Sequence, residues 1–252
     1  MRIKYKEPYW LKFNWDLTTH HEHQFVTEFN KTENERIRDF FYCENWMIVV
    51  GFTIPKDGQK DEICAVFGKS GKNLALSYNT TSGVLGFEFW TTHGDEDKPT
   101  FVHFKEISRD DVEKGITVAI IRDGNSIVLT KVENGKLRFL NRQEFIGTII
   151  EDYKNSPLML GCANPGTSLE HHRFHGEIDV DYLLMVDNLS DDKVIVDIIN
   201  TETEKLVGKS YYPNVLSLHN FKKSNNMGFV YDESMHTNFL ERVPSEFIID
   251  SN

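Results

Sequence analysis

Cysteine is scarce in this chain and poorly placed for chemistry. Cys43, Cys64 and Cys162 form an odd set with no Cys-x-x-Cys spacing, which argues against both a disulfide framework and a zinc ribbon and leaves buried free thiols as the reading. Long apolar runs are missing too: no stretch approaches the roughly 20 apolar residues of a membrane span. The first residues, MRIKYKEPYWLKFNW, are charged and aromatic. No secretory signal is therefore expected, and residence in the cytoplasm, or in a phage or virus particle without export, follows. Positive charge is also in short supply. With 28 Lys and Arg against 39 Asp and Glu, the net charge is −11. Nucleic acid and anionic membrane surfaces, which need a basic face to displace counterions, are not expected as partners. The short basic stretches at 2–6 and 222–223 do not reverse that balance. No phosphate-binding glycine loop and no His-Glu-x-x-His pattern occurs.

What the chain does have is aromatic side chains at 12%, more than half of them Phe, which are dense anchors for sheet packing. At 252 residues it is long enough to bury a substantial core as one large β-sandwich or as a smaller domain with an extension. Strand signals dominate. Residues 9–15, YWLKFNW, partly alternate and read as an edge or opening strand, and 18–36 is polar, charged and His-rich, a loop or short helix. The continuous apolar run at 46–54 reads as a strand buried on both faces. Further strands are expected at 63–68, 73–78, 84–91 and 100–106, the first three separated by turns at about ten-residue spacing, the rhythm of a sandwich. Residues 115–121 and 126–133 form a hairpin across Arg122-Asp-Gly-Asn, with glycine where a tight turn needs positive φ.

Two segments resemble the laminin G-like and pentraxin-like domains of the concanavalin A-like lectin/glucanase superfamily. One is PLMLGCANPGTSLEHHRFHGEIDVDYLLMVDNLSDDK at 157–193: a short strand, a Gly-Cys-Ala-Asn-Pro-Gly turn, a strand alternating apolar and acidic residues, and a helical turn. The other is the 115–135 hairpin, which ends in a second Asn-Gly and carries Gly115-Ile116 where many members have Trp-His. The resemblance covers roughly residues 37–195. It implies an all-β, jelly-roll sandwich of two antiparallel sheets over 1–200. Residues 201–252 lie beyond the resemblance; their aromatic content reads as a C-terminal extension packed on the sandwich, the alternative being a segment that docks a partner.

Candidate site residues fall in four groups. Glu177, Asp179 and Asp181 alternate along one strand, so they share a face. They are similar to the Glu-x-Asp-x-Glu signature of family 16 glycoside hydrolases, with the last Glu shortened to Asp. A retaining glycosidase needs carboxylates about 5–5.5 Å apart and an inverting one about 6.5–9.5 Å. On a regular strand i and i+4 lie about 13 Å apart, so only a sharp bulge would bring Glu177 and Asp181 into range. His172 and His175 stand nearby as acid/base partners in an enzyme, while the bland reading leaves all five residues on a solvated surface. Asp95, Glu96 and Asp97 offer oxygens for calcium or simply form an acidic loop. Trp90 and His93, with Asn164 and Glu170 on a rim loop, are the candidates for ligand contact, Trp90 because a flat aromatic face stacks on a sugar ring; the alternative for Trp90 is the core, which is where Trp46 is expected. The cluster His20-His21-x-His23 reads as surface histidine.

The function expected is recognition: a non-catalytic carbohydrate-binding or adhesion module of laminin G-like type, its partner a glycan or glycoconjugate, with calcium the one candidate cofactor. The alternatives are a polysaccharide-degrading hydrolase or lyase on the same fold, and a structural or assembly protein such as a virion component. A homo-oligomer is compatible with each.

Overall fold

The computed structural model describes residues 2–4, 9–13, 40–56, 63–69, 74–94, 96–134, 136–150, 158–160, 177–187, 215–220, 229–230 and 240–244. These residues build two antiparallel sheets packed face to face, the β-sandwich expected from the strand rhythm. Sheet A runs in the order β1 (Arg2–Lys4), β13 (Glu177–Asp187), β3 (Asn45–Thr53), β8 (Ile116–Asp123), β9 (Ser126–Glu133) and β10 (Lys136–Glu144), with β14 (Val215–Asn220) also on β13. Sheet B runs β11 (Thr148–Ile149), β6 (Val84–His93), β5 (Leu74–Asn79), β4 (Ile63–Lys69), β12 (Leu158–Leu160), β2 (Tyr9–Phe13), β16 (Leu240–Pro244) and β15 (Phe229–Val230). Strand β7 (Glu96–His103) pairs the free edge of β6.

Alternation explains the core. On β3, Trp46, Ile48, Val50 and Phe52 face sheet B, and on β6, Leu85, Phe87 and Phe89 face sheet A. Trp46 and Phe87 meet edge to face with ring centroids 6.3 Å apart. Phe40, Phe41, Phe52, Phe67 and Tyr78 are also fully enclosed, and burying each such side chain contributes about 2 kcal/mol. β3 is apolar throughout because its other face is buried as well. Met47 and Val49 join Ala119, Leu184, Val186 and Val215 in a second cluster on the outer side of sheet A.

A buried cation closes one end of this core. Arg122, only 5% exposed, donates from Nε to the Gly124 carbonyl at 3.0 Å and from Nη1 to the Phe41 carbonyl at 3.2 Å. The same Phe41 carbonyl accepts from the Trp46 indole at 3.3 Å. The guanidinium lies 5.7 Å from the centre of the Phe145 ring, so hydrogen bonds and a π face offset the loss of water.

Two expectations need correction, and one element was not foreseen. The strand expected at 9–15 as an edge is β2, held between β12 and β16 in the interior of sheet B. The strand expected at 100–106 begins four residues earlier, at Glu96. Between it and β8 lies a short helix, α1 (Arg109–Lys114), started by a capping box: the Asp111 N–H donates to Ser108 Oγ at 3.2 Å and the Ser108 N–H to Asp111 Oδ2 at 2.9 Å. Asp111 also accepts from Lys131 Nζ at 2.8 Å, which ties α1 to β9.

The hairpins follow their turn chemistry. β8 and β9 join through Gly124-Asn125, and Gly124 has φ +56°. Among the cysteines, Cys64 is buried and Cys43 half-buried, and neither is in a disulfide; Cys162 lies outside the described residues. Among the described residues no helix is long and apolar enough to cross a membrane.

Candidate functional site

The face of sheet B turned away from the core carries aromatic side chains in contact with solvent. Strand β6 alternates buried and half-buried residues along its whole length. With Leu85, Phe87, Phe89 and Thr91 turned inward, Gly86, Glu88, Trp90 and Thr92 look outward. The β6–β7 hairpin sets the partners of this outward row. Gly86 pairs His103, Glu88 pairs Phe101, Trp90 pairs Pro99, and Thr92 pairs Asp97. Directly opposed residues have Cβ atoms about 4.5–5.5 Å apart, so Trp90, Pro99 and Phe101 form one contiguous surface. Phe101 is 57% exposed.

The polar groups of the row are held in place. The Trp90 indole N–H donates to Glu88 Oε1 at 3.3 Å, a contact between neighbours on one strand face that orients the ring. Thr92 Oγ1 donates to Asp97 Oδ1 at 2.9 Å across the hairpin. A Cβ on Gly86 would lie 3.6 Å from His103 Cδ2, so the imidazole rests over the glycine. Beyond the aromatics the side chains are small, with Ala75 and Ser77 of β5 opposite Glu88 and Gly86 and Ala65 of β4 opposite Ser77, and here the two alanines are buried.

The backbone beneath Trp90 is fixed as well. Its carbonyl accepts from the Ile150 N–H at 3.1 Å, and β11 pairs Thr91 and Thr92. Gly147, at φ +96°, makes this approach feasible: a Cβ there would sit 2.2 Å from the Thr92 carbonyl oxygen.

The other residues singled out in the sequence divide by sheet. His93 ends β6, exposed, opposite Glu96. Glu96 and Asp97 lie on strand β7 and not on a loop. As consecutive strand residues they take opposite faces: Asp97 accepts from Thr92, while Glu96 pairs Lys98 at 2.7 Å, whose hydrogen bond holds the Glu96 carboxyl below its ordinary pKa. Among the described residues no group of three or more His, Cys, Asp and Glu is arranged to hold a metal ion. Asp95, Asn164, Glu170, His172 and His175 lie outside the described residues.

Glu177, Asp179 and Asp181 belong to β13, in the opposite sheet from Trp90. Their register puts Glu177 opposite Lys4 and Asp179 opposite Arg2 of β1. The strict alternation expected for the triplet breaks at its last member. Val180 pairs Phe52 and Tyr182 pairs Gly51, which leaves Asp181 as the extra residue of a β-bulge. The inward positions accordingly change parity, from Val180 to Leu183 and Met185.

Sequence reasoning found Trp90 but not Glu88, Phe101 or His103. His93 pairs Glu96, and carrying that register along the two strands places 101 opposite 88.

No protein-family model matches the chain, and no curated protein matches it. Among solved structures it is similar to the CBM40 of the Ruminococcus gnavus IT-sialidase, with a TM-score of 0.45 and 16% identity over 80% of this chain and 99% of that one. The NanB sialidase of Streptococcus pneumoniae, as its K499G mutant, gives 0.44 and 16%, over 61% of this chain and 23% of that one. The receptor binding domain of botulinum neurotoxin mosaic serotype C/D gives 0.43 and 11%, over 66% and 38%. At these scores and identities the strand pairing described above, and not the likeness, carries the fold.

Proposed function

We propose that this chain is a non-catalytic carbohydrate-binding module of laminin G-like type, and that its ligand lies on the outer face of sheet B across Trp90 and Phe101. One observation carries the reading: Trp90 stands outward beside an exposed Phe101, oriented by Glu88, in a row that also presents Thr92, Asp97 and His103. A lone exposed apolar residue means little, whereas a contiguous patch rimmed by polar groups marks a binding surface. Flat rings cover the C–H face of a sugar, and the carboxylates, hydroxyl and imidazole around them hydrogen-bond its hydroxyls. Calcium and adhesion remain finer parts of the same proposal.

A glycan array probed with and without calcium tests it. Binding should appear, and Trp90→Ala should weaken it at least about tenfold, the effect of losing one stacking anchor. An array without a signal in either condition sinks the reading. Loss of signal on chelation would bring calcium into the site.

A polysaccharide-cleaving enzyme is the second reading, and the bulge at Asp181 is what favours it, because bulges re-aim side chains next to active sites. If it is right, Glu177→Gln with Asp181→Asn abolishes sugar release without loss of fold. Absence of any release by the parent chain ends it.

A further inference from the structure

We propose a second sugar subsite, separate from the Trp90 face, in a pocket of about 280 Å³ lined by Asp123, Asn125, Ser126, Arg142, Glu144 and Phe145, and we assign it to a single neutral pyranose ring. The inference rests on glycan recognition as the function of the chain.

The pocket lies where the β8–β9 turn meets the end of β10, and its frame is rigid. The Gly124 N–H donates to the Glu44 carbonyl at 2.9 Å, Phe145 N–H donates to the Asn125 carbonyl at 3.0 Å, and Ser126 Oγ donates to the Asp123 carbonyl at 2.9 Å. A turn fixed at three points loses little entropy when a ligand docks. Phe145 is firmly seated in the core, packed edge to face on Phe89 at 5.1 Å with Arg122 over its ring, so it forms the floor of the pocket and the ligand is held mainly by the polar groups around it.

The polar lining selects the ligand. Arg142 Nη2 stands 3.5 Å from Asp123 Oδ2, with both side chains about half exposed. That is longer than a good hydrogen bond and weak in this solvent exposure, so both groups keep donors and acceptors for a ligand. Asp123 and Glu144 accept from hydroxyls, Arg142 and Asn125 donate to them, and this mixture is what a polyhydroxyl ring needs. Charge excludes an acidic sugar: Arg142 is already faced by Asp123, and Glu144 would oppose a ligand carboxylate. A metal ion is disfavoured by the guanidinium among the donors. A volume of about 280 Å³ holds one ring, and further residues of a longer glycan would extend into solvent.

The test is an amide NMR titration of the full chain with glucose, galactose, mannose and N-acetylglucosamine at millimolar concentration, with N-acetylneuraminic acid as the acidic comparison. At least one neutral sugar should give saturable shifts at the amides of Gly124, Asn125, Ser126 and Phe145. These should survive Trp90→Ala and weaken about tenfold in Arg142→Ala and in Glu144→Gln, the loss of one charged hydrogen bond. Both variants change exposed side chains, and their amide dispersion reports that the fold is kept. The subsite is overturned if only the Trp90 region responds, if the turn shifts vanish with Trp90→Ala, or if they ignore both pocket variants. Equal shifts from N-acetylneuraminic acid overturn the neutral-sugar assignment. No response anywhere, together with a blank array, removes the glycan function as well, so the two failures are distinguishable.

Discussion

The outer faces of the two sheets both place apolar residues at outward positions, and they differ in what surrounds them. At the centre of sheet A, Met47, Val49, Ala119, Leu184, Val186 and Val215 are buried almost completely, and an exposed ring, Phe139, appears only out on β10. On sheet B, Ala65 and Ala75 are the buried outward pair among the described residues, and the larger Trp90 and Phe101 keep contact with solvent. The first face is a second core and its residues serve stability. The second has accessible rings at little cost to folding, the property of a recognition surface. Trp46 and Trp90 show the same contrast within one residue type: one is enclosed by Phe40, Phe41 and Phe87, the other rests against a glutamate.

Substitutions can break this contrast or sharpen it. Leu184→Asp should have the largest effect, costing more than about 4 kcal/mol because it buries a charge without a partner. Urea denaturation should show a chain that no longer folds cooperatively. Trp46→Ala should cost about 3–5 kcal/mol, whereas Trp90→Ala should cost under about 1 kcal/mol of stability while losing glycan binding. Equal destabilisation by the two tryptophan changes would mean that Trp90 is a core residue after all.

Gly147→Ala should cost about 2 kcal/mol, since the new methyl meets the Thr92 carbonyl at positive φ. Because that carbonyl belongs to the strand bearing Trp90, binding should weaken together with stability. A variant as stable as the parent would refute the close approach.

The acid limb of stability should report on Asp111, away from both faces. Hydrogen bonds from Lys131, then from Ser108, hold its carboxyl at about 2, against an ordinary value of 3.8. A folded-state pKa below the unfolded one stabilises fully above the unfolded value, and the gain is lost as pH falls from about 5 to 2. Partial exposure of the pair reduces the contribution to about 1 kcal/mol. Asp111→Asn should therefore be less stable than the parent at pH 7 and nearly equal to it at pH 2. A gap that persists at pH 2 would assign the effect to packing. The smallest effect expected is on Phe101→Ala, within about 0.5 kcal/mol in stability, with binding reduced.

Much of the fold was legible because its signals are local. The unbroken apolar run at β3 announced burial on both faces, and Asp123-Gly124 announced the β8–β9 hairpin. Strand β7 was less clear, because Lys98 and Pro99 look like loop residues. An edge strand tolerates both, and they protect its open side from pairing with another chain. Helix α1 was missed since six residues give no periodicity, although Ser108 and Asp111 have the capping-box spacing.

The candidate site was half legible. Trp90 was identified by residue type, but its partners Glu88, Phe101 and His103 required the hairpin register to be carried through. The bulge at Asp181 left no mark in the sequence, because an extra residue is defined only against the strand it fails to match, here β3.

The sequence alone determined the all-β composition, the positions of the tight turns, and the alternation that commits each strand residue to one face or the other. These follow from dihedral preference and a period of two, both properties of neighbouring residues. The tertiary structure decided that β2 is interior, that the acidic triplet and Trp90 occupy different sheets, and which outward apolar face is closed and which is open. Those depend on pairings between residues distant in the chain, and burial is a property of what packs against a residue, not of the residue itself.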